Sequence, residues 1–216
     1  MTRRTRLWSA QGAAVGAEFA MVLPLLIVLI VGVVDVGRFM WTWNRAEKAT
    51  QMGVRYAAVT DMGDTVRDDP LTVDVNEDAG IWTYDFYTAG GIPRGDAIPE
   101  AAFGGATCTA SGCTCIPDTL PCGSASAAFT STVARMQAFM AEIQPENVTI
   151  EYGYSGLGYS GDPYGSDVNP LITIKLGQPT PISFEPALGY LLGFDLTLPS
   201  FASTLPMEDG IGSISN

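Results

Sequence analysis

The chain has 216 residues, 47% of them hydrophobic and 16% charged, and 11 basic against 23 acidic residues give a net charge of −12. This is enough apolar sequence for one folded domain with an appendage and too much for a disordered chain. The scarcity of cations argues against nucleic-acid binding, and the absence of His excludes Ser-His-Asp and Cys-His catalysis.

The N-terminus reads in three parts. A basic stub, residues 1 to 12 with Arg3, Arg4 and Arg6, leads into the small residues Ala13 to Ala17 and then an uncharged run from Phe19 to Val34. That run is 16 residues long. With the Ala and Val residues before it and Phe39, Trp41 and Trp43 after it, the stretch approaches the ~20 residues of a membrane-spanning helix with an aromatic interface. A secretory signal peptide would place its small-residue cleavage site after the run, where Val33-Val34-Asp35-Val36 stands instead.

Arg38, Arg45 and Lys48 equal the three Arg ahead of the run, so the count of flanking positive charges is a tie. The basic tail is nevertheless short, and beyond Asn44 there are 21 acidic against 7 basic residues. The cluster Cys108, Cys113, Cys115 and Cys122 without His fits disulfides in an oxidising compartment better than zinc. The expected orientation has the stub in the cytoplasm and the large domain outside.

Glu18 stands at the head of the apolar run. It has two readings: an interfacial carboxylate favoured by the helix dipole, or an intramembrane carboxylate opposite an N-terminal amine created by removal of the stub. Pro24 should kink or locally open the helix. Beyond the run Phe39, Trp43, Ala46, Thr50, Gly53 and Tyr56 or Ala57 recur at helical spacing. The expected helix runs from Ala13 to about Thr60, roughly 70 Å long, and its outer half lies on a sheet.

Residues 61 to 80 are acidic, and Asp74, Asn76, Asp78 and Asp85 only approximate a calcium loop because the glycine, Gly80, falls one place late. Asp162, Asp167 and Asn169 form a second weak candidate. No metal and no cofactor are assigned. Gly90 to Ser126 is loop-rich and holds all four Cys in a C-x4-C-x-C-x6-C pattern that does not suit zinc. Two disulfides are expected, with three connectivities open.

Phe129, Val133, Met136, Met140 and Ile143 predict an amphipathic helix capped near Ser124 and stopped by Pro145. Val148, Ile150, Tyr152 and Tyr154 predict a strand, as do Ile172, Ile174 and Leu176, with a Gly- and Tyr-rich loop between them. Pro186 to Gly193 predicts a short helix, and Phe194, Leu196 and Leu198 a third strand. Strands that follow helices rather than alternate with them indicate α+β with an antiparallel sheet.

The string Gly12-Ala13-Ala14-Val15-Gly16-Ala17-Glu18-Phe19-Ala20-Met21-Val22-Leu23-Pro24 resembles the start of TadE-like proteins of the tight-adherence (Flp-type) pilus system. Val36-Gly37-Arg38 and Gly53-Val54-Arg55-Tyr56-Ala57-Ala58 resemble later parts of the same pattern, so the resemblance covers residues 12 to 59. It implies a type IV pilin-like fold, a long helix laid on a small antiparallel sheet. It also implies cleavage by a prepilin peptidase among Gly12, Ala13 and Ala14. Cutting after Gly12 would place Glu18 sixth in the mature chain; cutting after Ala13 would place it fifth, the family's usual register, but with Ala where Gly is usual.

The expected organisation is a basic cytoplasmic leader over 1–13, a long helix over 14–60 spanning the membrane to about 43, and an extracytoplasmic α+β domain over 61–216. The resemblance implies a minor pilin or pseudopilin in the bacterial inner membrane, with its C-terminal domain periplasmic or extracellular in a pilus. It is assembled through Glu18, Phe19 and the first helix with other minor pilins and the pilus inner-membrane platform. The alternative is an uncleaved, membrane-anchored binding or adhesion module that uses Tyr152, Tyr154, Tyr159 and Tyr164. An extracytoplasmic enzyme lacks a recognisable constellation of catalytic groups.

Overall fold

The computed structural model describes residues 3–60, 91–100, 105–116, 127–161 and 169–207. The chain divides into two compact units, one of Met1–Trp43 with Ser183–Thr197, the other of Asn44–Ile182 with Leu198–Asn216. Helix α1, Arg3–Ala57, contributes to both and continues through Pro24. Its 55 residues give a length of about 80 Å.

In the second unit a five-stranded antiparallel sheet has the order β2-β1-β3-β4-β7, from β1 (Gly105–Thr109), β2 (Gly112–Ile116), β3 (Val148–Gly153), β4 (Leu171–Leu176) and β7 (Phe201–Pro206). Strand alternation sorts its residues by face. One cross-strand row is Cys108, Ile150, Ile174 and Ser203; the next is Ala106, Tyr152, Ile172 and Leu205. The large residues at the centre of these rows are buried, and burial pushes the Tyr152 phenol well above its ordinary pKa. The opposite face is polar. There Lys175 Nζ donates to Glu151 Oε1 at 2.6 Å, and the hydroxyls of Thr173 and Thr204 are 2.9 Å apart.

The outer half of α1 buries Ala46, Ala49, Thr50, Gly53, Val54 and Ala57, spaced three or four apart as one helical face. Gly53 permits a close approach. A Cβ there would stand 2.7 Å from Met136 Cγ and 3.2 Å from Ile174 Cδ1, so the absent side chain is what lets helix α2 (Ala127–Gln137) and the sheet meet α1. The helix ends beyond Ala57 in a tightened turn, where Thr60 Oγ1 donates to the Tyr56 carbonyl at 2.6 Å.

Three sequence expectations need correction. Helix α2 stops at Gln137 rather than at Pro145, because Phe139 N–H turns to the Met136 carbonyl and the Phe139 carbonyl accepts from Arg45 Nε at 3.1 Å. Met140 and Ile143 are still buried, within turns. The Cys-bearing region contains a β-hairpin, β1–β2, and the strand expected around Phe194 to Leu198 is reduced to the two residues of β6 (Leu196–Thr197). Strand β7 instead completes the sheet. The Ser124 cap, the acidic stretch from 61 to 80 and the first calcium candidate lie outside the described residues, as do Asp162 and Asp167.

The buried side chains of Asn147 and Thr149 in this unit are satisfied. Asn147 Nδ2 donates to the Thr180 carbonyl at 3.0 Å, its Oδ1 accepts from Gln144 N–H at 2.8 Å, and Thr149 Oγ1 donates to the Gln178 carbonyl at 2.9 Å. Residues 92–98 are tied to 154–160 by Gly95 N–H to the Ser160 carbonyl, Ser160 N–H to the Asp96 carbonyl and Tyr154 Oη to the Ile98 carbonyl, at 2.6–2.9 Å.

Candidate functional site

Residues Val15 to Trp41 in α1 form an apolar helical surface. Leu25 is 72% exposed, Met21 70% and Val33 66%. Exposure of this many large aliphatics is unfavourable in water, at ~25 cal/mol per Å2 of apolar area, and natural in lipid. The helix is long and apolar enough to cross a membrane. Glu18 and Phe19 lie on its exposed surface near the start, and Glu18 has no ion pair or hydrogen bond among the described residues. Gly12, Ala13 and Ala14 are in helical backbone.

The far end of the uncharged run carries a feature that sequence reading did not assign. Asp35 is buried, 6% exposed, although it sits among exposed aliphatics. Its Oδ1 accepts from Ala187 N–H at 2.9 Å and its Oδ2 from Leu188 N–H at 2.8 Å, the first two amides of helix α3 (Ala187–Leu192). Arg38 Nη1 donates to the same carboxylate at 3.3 Å. The carboxylate thus caps a helix from a different part of the chain.

Around this cap the first unit packs β5 (Ser183–Phe184), α3 and β6 against α1. Phe184 meets Phe39 edge to face at 5.4 Å, and the Arg38 guanidinium lies 5.6 Å from the Phe184 ring centre. A Cβ on Gly32 would stand 3.4 Å from Leu188 Cδ1. Helix α3 is bounded as its sequence predicts, by Pro186 in extended conformation and by Gly193 in the left-handed region at φ 77°. Gly189 cannot be larger: a Cβ would collide with the Phe194 carbonyl oxygen and stand 2.6 Å from Pro186 Cγ.

Of the four cysteines, Cys108 and Cys113 are joined by a disulfide across directly paired positions of the β1–β2 hairpin. Cys115 lies in β2, but its side chain and all of Cys122 fall outside the described residues. The three described tyrosines of that group do not form one surface: Tyr152 is in the core, Tyr154 is tied to Ile98 and Tyr159 is 65% exposed, while Tyr164 lies outside the described residues.

In the sheet-bearing unit, Arg45 Nη1 and Nη2 make a two-pronged contact with Glu142 at 3.1 Å each. The Glu142 backbone amide, with the Arg45 side chain as a further contributor, holds the Glu142 carboxyl below its ordinary value against a smaller desolvation effect.

Residues 12–55 match the family model of TadE-like proteins. The N-terminal segment is TadE-like. The match coincides with α1 and includes Glu18, Asp35 and Arg38, whereas the sheet and α3 lie beyond it. Comparison with curated proteins and with solved structures returns no match. The matched segment lies in a helix that is long and apolar enough to cross a membrane.

Proposed function

We propose that this chain is a minor pilin or pseudopilin of a tight-adherence pilus, matured by a prepilin peptidase and assembled with other subunits through α1. The observation that carries the reading is the coincidence of the TadE-like match with a lipid-compatible helix whose head bears Glu18 next to small residues. Removal of the stub after Gly12 or Ala13 would leave an amine five or four residues ahead of Glu18. In lipid a carboxylate and an amine on neighbouring subunits attract strongly, and neither tolerates isolation, so the pair sets subunit register. The large domain would lie on the periplasmic or outer side, where the Cys108–Cys113 disulfide is stable. In this role the chain is a structural subunit and not an enzyme.

The test is Glu18→Ala in the native host. Membrane insertion, read by resistance to alkaline extraction, should persist, and sheared surface pili should be lost. Normal piliation in that strain would contradict the assembly role.

A further inference from the structure

The segment 183–197 is more apolar outside than its packing on α1 requires. Tyr190 is 97% exposed, Leu191 70%, Leu192 64%, Leu196 42% and Phe194 41%. From Pro186 to Phe194 there is no charged residue, and Glu185 and Asp195 bracket the stretch, as Glu18 and Asp35 bracket the uncharged run of α1. Both stretches keep their charges at the ends.

Contacts along α1 give the segment a direction. Phe184 packs on Phe39, whereas Leu188 reaches Asp35 and Gly32, seven residues nearer the N-terminus than Phe39. At 1.5 Å per residue that is a descent of about 10 Å along α1, toward its apolar half. The span from Ala14 to Val34 rises about 31 Å, which matches the ~30 Å hydrocarbon core and places Asp35 at its outer boundary. A carboxylate at that depth needs donors, and the α3 amides with Arg38 supply them.

We infer that residues 186–194 form a membrane-embedded foot, in which α3 descends beside α1 and buries Tyr190, Leu191 and Leu192 in the outer boundary of the lipid bilayer. The occupant of this apolar face is lipid because the face continues the lipid-exposed surface of α1 within one compact unit. A Tyr at the tip suits that depth, where the ring is apolar and the hydroxyl reaches headgroups. The foot gives the chain a second, shallow contact with the bilayer beside its spanning helix, and Asp35 joins the two. The inference rests on the reading of α1 as a membrane span and extends it to a segment outside the TadE-like match.

The test places photoreactive benzoylphenylalanine singly at positions 190, 27 and 204 of the full chain, reconstituted in vesicles of phosphatidylethanolamine and phosphatidylglycerol. Position 190 is nearly fully exposed, so its substitution should leave folding intact, which the Cys108–Cys113 disulfide bond reports by mass. Expected are lipid adducts at 190 comparable to those at 27 and their loss at 204, on the polar face of the sheet. Labelling at 27 with none at 190, or adducts at 190 with a second copy of the chain in place of lipid, would overturn the foot while leaving the span standing. Absence of lipid adducts at both 27 and 190 would overturn the span and the foot together.

Discussion

In the sheet-bearing unit Ile150, Ile172, Ile174 and Leu176 are fully buried, whereas in the first unit Leu191, Leu192 and Tyr190 stand 70%, 64% and 97% exposed. The side chains are alike in hydrophobicity; their surroundings are not. In the sheet unit apolar groups turn inward, polar groups such as Glu151, Lys175 and Thr173 turn outward, and buried amides are satisfied inside the fold. In the first unit the arrangement is reversed: the carboxylate of Asp35 is inside and the aliphatics are outside. A charge held by backbone amides beneath an apolar exterior is what a fold does when its solvent is partly lipid.

The sharpest way to break this comparison is to truncate one aliphatic from each unit. Ile174→Ala, in the middle of the sheet and beside Gly53, should cost about 2–5 kcal/mol, whereas Leu191→Ala should change stability by less than ~0.5 kcal/mol. Urea unfolding of the full chain in detergent, followed by near-ultraviolet circular dichroism, reads both. Equal losses would mean that the foot is packed like a core.

A smaller and more local effect is expected at Asp35. Asp35→Asn keeps one acceptor but sets an amide NH2 against the second α3 amide, and charged hydrogen bonds of this kind contribute about 1.5–3 kcal/mol. Amide exchange at Ala187 and Leu188 should therefore accelerate about 10- to 100-fold, while exchange at Ile150 and Ile174 stays unchanged. Acceleration throughout the sheet would show that Asp35 supports the whole fold and not the foot alone.

The smallest expected effect belongs to the Arg45–Glu142 pair, which is half exposed and worth no more than ~1 kcal/mol. Glu142 has a folded pKa below its ordinary 4.5. Its contribution is therefore complete above the unfolded value and lost as pH falls through the folded one. The difference in melting temperature between the native chain and Arg45→Met should shrink on going from pH 7 to acid below that range. A constant difference would assign the effect of Arg45 to its bond with the Phe139 carbonyl.

Much of the fold is legible in the sequence where periodicity is strong. Alternation marks β3 and β4, Pro186 and Gly193 bound α3, and the three- and four-residue spacing after Phe39 marks the buried face of α1. The hairpin β1–β2 escaped because its strands are built from Gly, Ala, Thr and Cys, with little apolar signal. Strand β7 escaped because Ser203 interrupts the apolar alternation between Phe201 and Leu205. The Asp35 cap is invisible to local reading, since its amides lie 152 and 153 residues away. The available signal was a carboxylate closing an apolar run with Arg38 three residues on, a pair that calls for further donors.

The central claim, that α1 belongs to a processed pilin-like subunit, is tested most directly by the intact mass and N-terminal sequence of the chain from native membranes, with and without the prepilin peptidase. The account predicts a peptidase-dependent start at Ala13 or Ala14, which also fixes whether Glu18 is sixth or fifth. A chain that keeps its basic stub in the presence of the peptidase would contradict it.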